Sequence, residues 1–473
     1  MTEPADLELA GLLSVVREAL AEADPLAAAL LGGPLALPDP AEAAEAAALA
    51  RLSELAGDLD HLGVRAGEDD ELDRLAVMYG LRRAVASARP DDPAGPPVLE
   101  RHLQLRLLRL LDHPADGLQS LTELVEAGPR LLLQARRDPG RGSAVAGQLA
   151  LESARRMPAL LEAGAGAARK AEGGVRARAE AGLGALLQAA AEESGWLLKE
   201  YLPAAPGVPR PGSLDPEWAG LGISLAELEA EAEAALAASV TEFADRPTRE
   251  NGSAEVEPAG LEEVQRAWEV AAEAAATRWA ARPGDGAVVL EAPAWLAPLM
   301  PPISLWQPGP RSPTPLHVLV ANPRRADLSS LAGEVYEADF LPAAFQRAEV
   351  RVARLLLPAP ELQQGWRAHV RANGAGPANW STEMAWRAAL ALAALAMSRG
   401  QATVDDAAGL IAAEAGLPGD QALLQAMTVA LRPLPALSFL AGRVAVTRAL
   451  ASGTPARLLA AGPLPGAAIA NRV

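Results

Sequence analysis

The chain has 473 residues, half of them hydrophobic and none of them cysteine, and carries a formal net charge of −18 at pH 7. That acidic balance repels phosphate backbones and anionic headgroups, which argues against nucleic acid and membrane surfaces as partners. The lack of cysteine excludes disulfides, thiolate metal sites and cysteine nucleophiles.

Aromatics make up only 3% of the residues, while Ala, Leu, Glu and Arg are abundant, so helix is favoured over long strands. The opening residues Met1-Thr2-Glu3-Pro4-Ala5-Asp6 lack the basic and apolar regions of a secretory signal. Apolar runs such as 388–397 fall short of the ~20 residues that span a bilayer. Both readings predict a cytoplasmic protein. Amphipathic spacing predicts helix over 7–31, broken at Asp24-Pro25, and again over 41–88. The proline-rich stretch 90–97 marks a first boundary, leaving 1–97 as an N-terminal helical region of its own.

A second helical region spans 98–281. It holds long helices over 144–167, with a kink at Pro158, and over 175–202, then a proline-rich connector at 203–211. Helices over 225–244 and 261–281 follow, separated by a polar loop. Ala287-Val288-Val289-Leu290 and the run 316–320 are short, apolar and bounded by Pro and Gly, as buried strands are. Helical spacing returns at Leu328 and continues, with a break near 373–377, to about Ala451. The Ala- and Pro-rich residues 456–473 read as a loosely held tail. The expected fold class is therefore all-α, with a small strand element near 287–291 and 316–321.

Motifs within 282–455 carry a resemblance. The segment Leu331-Ala332-Gly333-Glu334-Val335-Tyr336-Glu337-Ala338-Asp339-Phe340-Leu341 is similar to a motif of the form HExYPGHxLQ, and Gln364-Gly365-Trp366-Arg367-Ala368-His369-Val370-Arg371 to EGWALYAE. Further along, Thr403-Val404-Asp405-Asp406-Ala407 with Glu414-Ala415-Gly416 resembles TxEEA and EEAG, and the stretch 435–443 resembles PGxxLSYxxGK. Their order resembles that of a large bacterial family of zinc metallopeptidase type, catalogued as domain of unknown function 885. The resemblance implies a helical, metallopeptidase-like core in which two histidines and a glutamate hold zinc and a further glutamate polarises water.

On that resemblance every metal-binding side chain is replaced here. The first histidine position is Gly333, the second is Asp339, and the last ligand position is Arg371, a cation where an anion is needed; only the water-polarising carboxylate remains, as Glu334. Gly333 offers no lone pair and Arg371 would repel a metal, so an ion pair of Arg371 with Glu334 or Asp339 is the more economical reading. The resemblance thus implies a pseudoenzyme with no metal and no cofactor, which binds a peptide or protein in a degenerate cleft. Glu337, Trp366 and His369 are candidates to line that cleft. The rival is a residual hydrolase in which Glu334, Glu337, Asp339 and His369 gather around another divalent ion. For Trp366, Trp380 and Trp386, packing in the core is the default reading, and for His369 a hydrogen-bonded structural role.

Overall fold

In a computed structural model, residues 4–23, 42–63, 67–88, 99–137, 142–169, 173–205, 215–217, 219–244, 260–279, 283, 286–307, 315–322, 328–349, 351–373 and 380–472 are described. The chain is predominantly helical. Helices α1 (Pro4–Ala23), α2 (Glu42–His61) and α3 (Glu68–Ala88) come first, then α4 (Glu100–Asp112), α5 (Pro114–Arg137), α6 (Ala144–Ala168) and α7 (Gly173–Trp196). Helix α6 runs through Pro158 as a single element. After α8 (Leu225–Ala244) and α9 (Leu261–Trp279) come the strands β1 (Ala287–Glu291), β2 (Ile303–Trp306) and β3 (Leu316–Val320). The expected loop between α8 and α9, and most of the connector at 203–211, lie outside the described residues.

Two of these strands were expected and β2 was not. It is only four residues long and follows Pro301-Pro302, too short and too close to proline to stand out by periodicity. The sheet order is β1-β3-β2, with β1 parallel and β2 antiparallel to the central β3. Side chains alternate across it. Val289, Ile303, Leu316, Val318 and Val320 face a core formed with Trp268 of α9 and with Leu328 and Ala332 of α10 (Leu328–Val335). His317 and Leu319 point to the opposite side, where Leu319 packs with Ala292, Trp295 and Leu296.

Helix α10 continues through a π-helical turn, Tyr336–Phe340, into α11 (Leu341–Glu349). The pair Leu341-Pro342 follows directly after this turn. Pro342 has no N–H for the carbonyl of Ala338, and its ring would crowd that carbonyl; a widened turn relieves both. A second π turn, Leu197–Tyr201, likewise stands just ahead of a Leu-Pro pair, Leu202-Pro203. Pro129 and Pro158, in contrast, sit inside α-helices.

The remaining helices are α12 (Val352–Leu356), α13 (Pro360–Asn373), α14 (Trp380–Ser398), α15 (Val404–Ala415), α16 (Gly419–Leu431), α17 (Pro433–Leu450), α18 (Pro455–Ala460) and α19 (Gly466–Arg472). Helix α15 begins with a capping box between Thr403 and Asp406 and ends at Gly416, whose φ of 63° is the left-handed conformation that closes a helix. No single described helix is long and apolar enough to cross a membrane; α16 and α17 would pass as a pair, but they meet at 90° and their apolar residues lie in the core.

The tail is not loosely held. Leu458, Leu459, Leu464, Ala468 and Ile469 are fully buried in the central core, and the Ala461 carbonyl accepts a hydrogen bond from Arg354 at 2.8 Å. Small residues and prolines allowed α18 and α19 to dock closely, which composition alone did not disclose. Arg354 also binds Asp73 at 2.7 Å and Asp69 at 2.5 Å, so one buried guanidinium ties α3, α12 and the tail. The N-terminal helices have an apolar cluster of their own, yet Leu72 and Ala76 of α3 belong to the central core.

Candidate functional site

The segments that carry the resemblance are brought together by a close helix crossing. A Cβ on Gly365 of α13 would lie 2.2 Å from the Gly442 carbonyl oxygen of α17, and one on Gly442 would lie 2.2 Å from the Glu361 carbonyl oxygen. Only paired glycines let the two backbones approach so closely. With α13 seated this way, Trp366, Arg367, His369 and Arg371 face the end of α10 and its π turn. Trp366 is fully buried, edge-on to Trp279 at 5.2 Å, and its indole N–H donates to the Glu337 carbonyl at 2.8 Å.

Arg371 lies between two carboxylates. Its guanidinium donates to Glu334 of α10 and forms an ion pair with Glu383 of α14. Asp339 is taken by a different partner, Arg367, one helical turn before Arg371 on the same face of α13. The expected meeting of Glu334, Asp339 and Arg371 is thus found for Glu334 with Arg371, while the Arg371–Asp339 pair is replaced by Arg367–Asp339. Arg387 adds a third cation, 3.6 Å from Glu383 and stacked over Trp386 at 4.3 Å and Phe439 at 5.1 Å. Burial, followed by repulsion from Arg367 and Arg371, lowers its pKa to about 10. The network contains three arginines against Glu334, Asp339 and Glu383.

Glu337 stands where the family motif has its Pro-Gly turn. Its buried carboxylate accepts from Arg278 Nη1 at 2.8 and 2.9 Å and from Trp279 Nε1 at 3.0 Å. His369 lies tilted over Trp279 at 5.4 Å and Trp366 at 5.8 Å, and burial depresses its pKa by disfavouring the charged ring. Trp366 is a core residue and lines no opening. Trp386 packs against Arg387, and the Trp380 side chain lies outside the described residues.

A hydrolytic zinc ion needs three protein donors and a water. These residues do not fit one. Gly333 has no donor atom, Arg371 brings a positive charge, and the carboxylates of Glu334, Glu337 and Asp339 are each engaged by arginine. Among the described residues no three His, Asp or Glu side chains are placed to hold a metal ion. Space is not the obstacle at Gly333, because a Cβ there would meet only the Ala271 methyl at 3.9 Å.

A separate cavity of about 990 Å³ opens on the outer face of the sheet. It is walled by the α4–α5 corner, the end of α6 and the start of α7, and floored by Leu290, His317 and Leu319. Sequence reasoning did not find it, since its lining comes from four distant segments. It also missed Glu383, Arg367 and Arg278 as partners; the spacing of four between Arg367 and Arg371 was the one available signal.

No family model matches the chain, and no curated protein matches its sequence. Solved structures do share the fold. A putative lipoprotein from Colwellia psychrerythraea superposes with a TM-score of 0.70 at 12% identity, covering 99% of this chain and 98% of the other. Another of the same description and of unknown function, from Shewanella oneidensis, gives 0.66 at 13% identity, with 98% of each chain covered. The expected cytoplasmic location is corrected by these neighbours, both described as lipoproteins. That expectation rested on the opening residues and on missing apolar runs, neither of which bears on the fold that the three proteins share.

Proposed function

We propose that this chain is a non-catalytic protein derived from a metallopeptidase, which acts by binding a peptide or protein and holds no metal. The observation that supports this reading is the position of Arg371, whose guanidinium fills the space between Glu334 and Glu383. A cation there supplies the charge compensation that a metal ion would otherwise give to Glu334. Without a Lewis acid to lower the pKa of water, a lone carboxylate does little toward peptide hydrolysis. The rival carboxylate site for another divalent ion has no support in the geometry, because Glu337 is bound to Arg278 and Trp279 and Asp339 to Arg367.

The test is metal content by plasma spectrometry on freshly purified protein, with a peptide-library turnover assay beside it. The expected result is no stoichiometric metal and no chelator-sensitive cleavage. Zinc near one equivalent, with cleavage abolished by a chelator, would refute the proposal. The variant combining Gly333→His, Asp339→His and Arg371→Glu supplies ligands at the three vacated positions and is expected to gain measurable zinc affinity. Its affinity is limited by Arg367, which loses Asp339 and remains a nearby cation.

A further inference from the structure

The cavity on the outer face of the sheet shares no lining residue with the arginine network, whose Glu334 lies on α10 against the inner face. Its walls are mainly apolar, including Leu110, Leu118 and Trp295. Two of its lining residues, Val175 at 39% and Leu290 at 39%, remain exposed, as does Val288 at 42% two residues before Leu290 on β1. Val288 and Leu290 lie opposite His317 and Leu319 in the ladder, so they share the face that floors the cavity. Exposed apolar residues gathered at the mouth of a cavity mark a binding surface rather than scattered surface hydrophobes.

Two observations define what would bind. Strand β1 is an edge strand among the described strands. The Ala292 N–H donates to the Val320 carbonyl at 2.9 Å, so even-numbered backbone groups of β1 face β3 and those of Val289 and Glu291 face the outer edge. A strand laid along that edge would bond to these groups and continue the face carrying Val288 and Leu290. The second observation is charge. At the rim Arg178 is the one cation among the lining residues; it bonds to Glu126 at 2.6 and 2.7 Å and lies within coulombic reach of Glu123, so that with Glu291 three carboxylates face one guanidinium. Such a rim repels a fatty acid or an acidic peptide and attracts a basic one.

We propose that β1 and the adjoining cavity form a docking site for an extended basic peptide, which adds a strand to the sheet and places alternate apolar side chains in the cavity. Main-chain hydrogen bonds supply affinity in this mode, and the pockets for alternate side chains supply selectivity. The site requires neither Arg371 nor Glu334.

The test uses the full chain and a fluorescein-labelled seven-residue peptide in which lysine or serine alternates with valine or leucine, followed by fluorescence anisotropy. Saturable binding is expected. Replacing the lysines by glutamate, or N-methylating alternate amides, is expected to weaken it at least about tenfold. Leu290→Asp and Val175→Asp alter residues that are already partly exposed, and each is expected to weaken binding at least about tenfold with an unchanged circular dichroism spectrum. Arg371→Ala is expected to leave binding unchanged, which separates this site from the arginine network. The proposal is overturned if the peptide shows no saturation, if decanoate binds in its place, or if binding ignores both the aspartate substitutions and N-methylation.

Discussion

The two faces of the small sheet present opposite kinds of surface. On the side of the inner face, where α9 and α10 pack, polar groups are matched: Arg371 with Glu334 and Glu383, Arg367 with Asp339, Arg278 with Glu337. On the outer face a cavity of about 990 Å³ is left open, and apolar side chains at its mouth stand exposed. The comparison shows that the segments carrying the sequence motifs need not be the part of the molecule left open to a ligand. Filling a polar cleft with ion pairs secures the fold there but leaves little for a ligand to gain. An apolar surface kept open forgoes stabilisation by burial and so retains free energy for binding.

If that contrast is right, substitutions on the inner side should lower stability and those on the outer side should not. The largest effect is expected for Trp366→Ala, which removes a fully buried indole, its edge-on contact with Trp279 and its bond to Glu337; a loss of about 3–5 kcal/mol is expected in chemical denaturation. Next comes Arg371→Ala, which leaves Glu334 and Glu383 in mutual repulsion within a largely buried cluster, with an expected loss of about 2–3 kcal/mol. Adding Glu334→Gln should recover part of that loss, and an additive double-mutant cycle would show that the pair is not coupled.

A third effect belongs to the helices that wall the cavity. Burial raises the pKa of Glu193 on α7 to about 7, against 4.5 for an ordinary glutamate, with Arg136 of α5 only partly offsetting it. The folded state therefore holds this proton to higher pH than the unfolded chain does. Stability should be unaffected by this group below about pH 4.5, fall by roughly 3 kcal/mol between pH 4.5 and 7, and level off above. In Glu193→Gln that slope should be absent, as a series of melts across pH would show. The smallest effect is expected at the cavity mouth, where Leu290→Thr should shift stability by no more than about 0.5 kcal/mol. A loss near that of Trp366→Ala would mean that Leu290 is structural and that the contrast fails.

Helical content was legible because alanine and leucine spacing is a local property, and so were β1 and β3, whose apolar runs are bounded by turn residues. The motif segments also indicated that Arg371 would pair with Glu334 or Asp339, and it pairs with Glu334, whereas the crossing of Gly365 and Gly442 had no advance sign. Pair choice was not legible. Whether Asp339 binds Arg367 or Arg371 depends on the rotation of α13 against the π turn, and Glu383 entered the network only because α14 packs where it does. The tail was misread because alanine and proline give no sign of how tightly a short helix will dock.

The π turn at Tyr336–Phe340 has a consequence for how relatives of this chain should be aligned. Such a turn holds about one residue more than an α turn does, so a single insertion is absorbed where it occurs and the helices on either side keep their faces. By the same reasoning, deletion of Ala338 should be tolerated as a contraction to an α turn. A homologue with an ordinary helix here would reach the position of Asp339 one residue sooner. Across this motif, distance counted in residues and distance counted in turns are different measures, and only the second fixes which side chains can face one another.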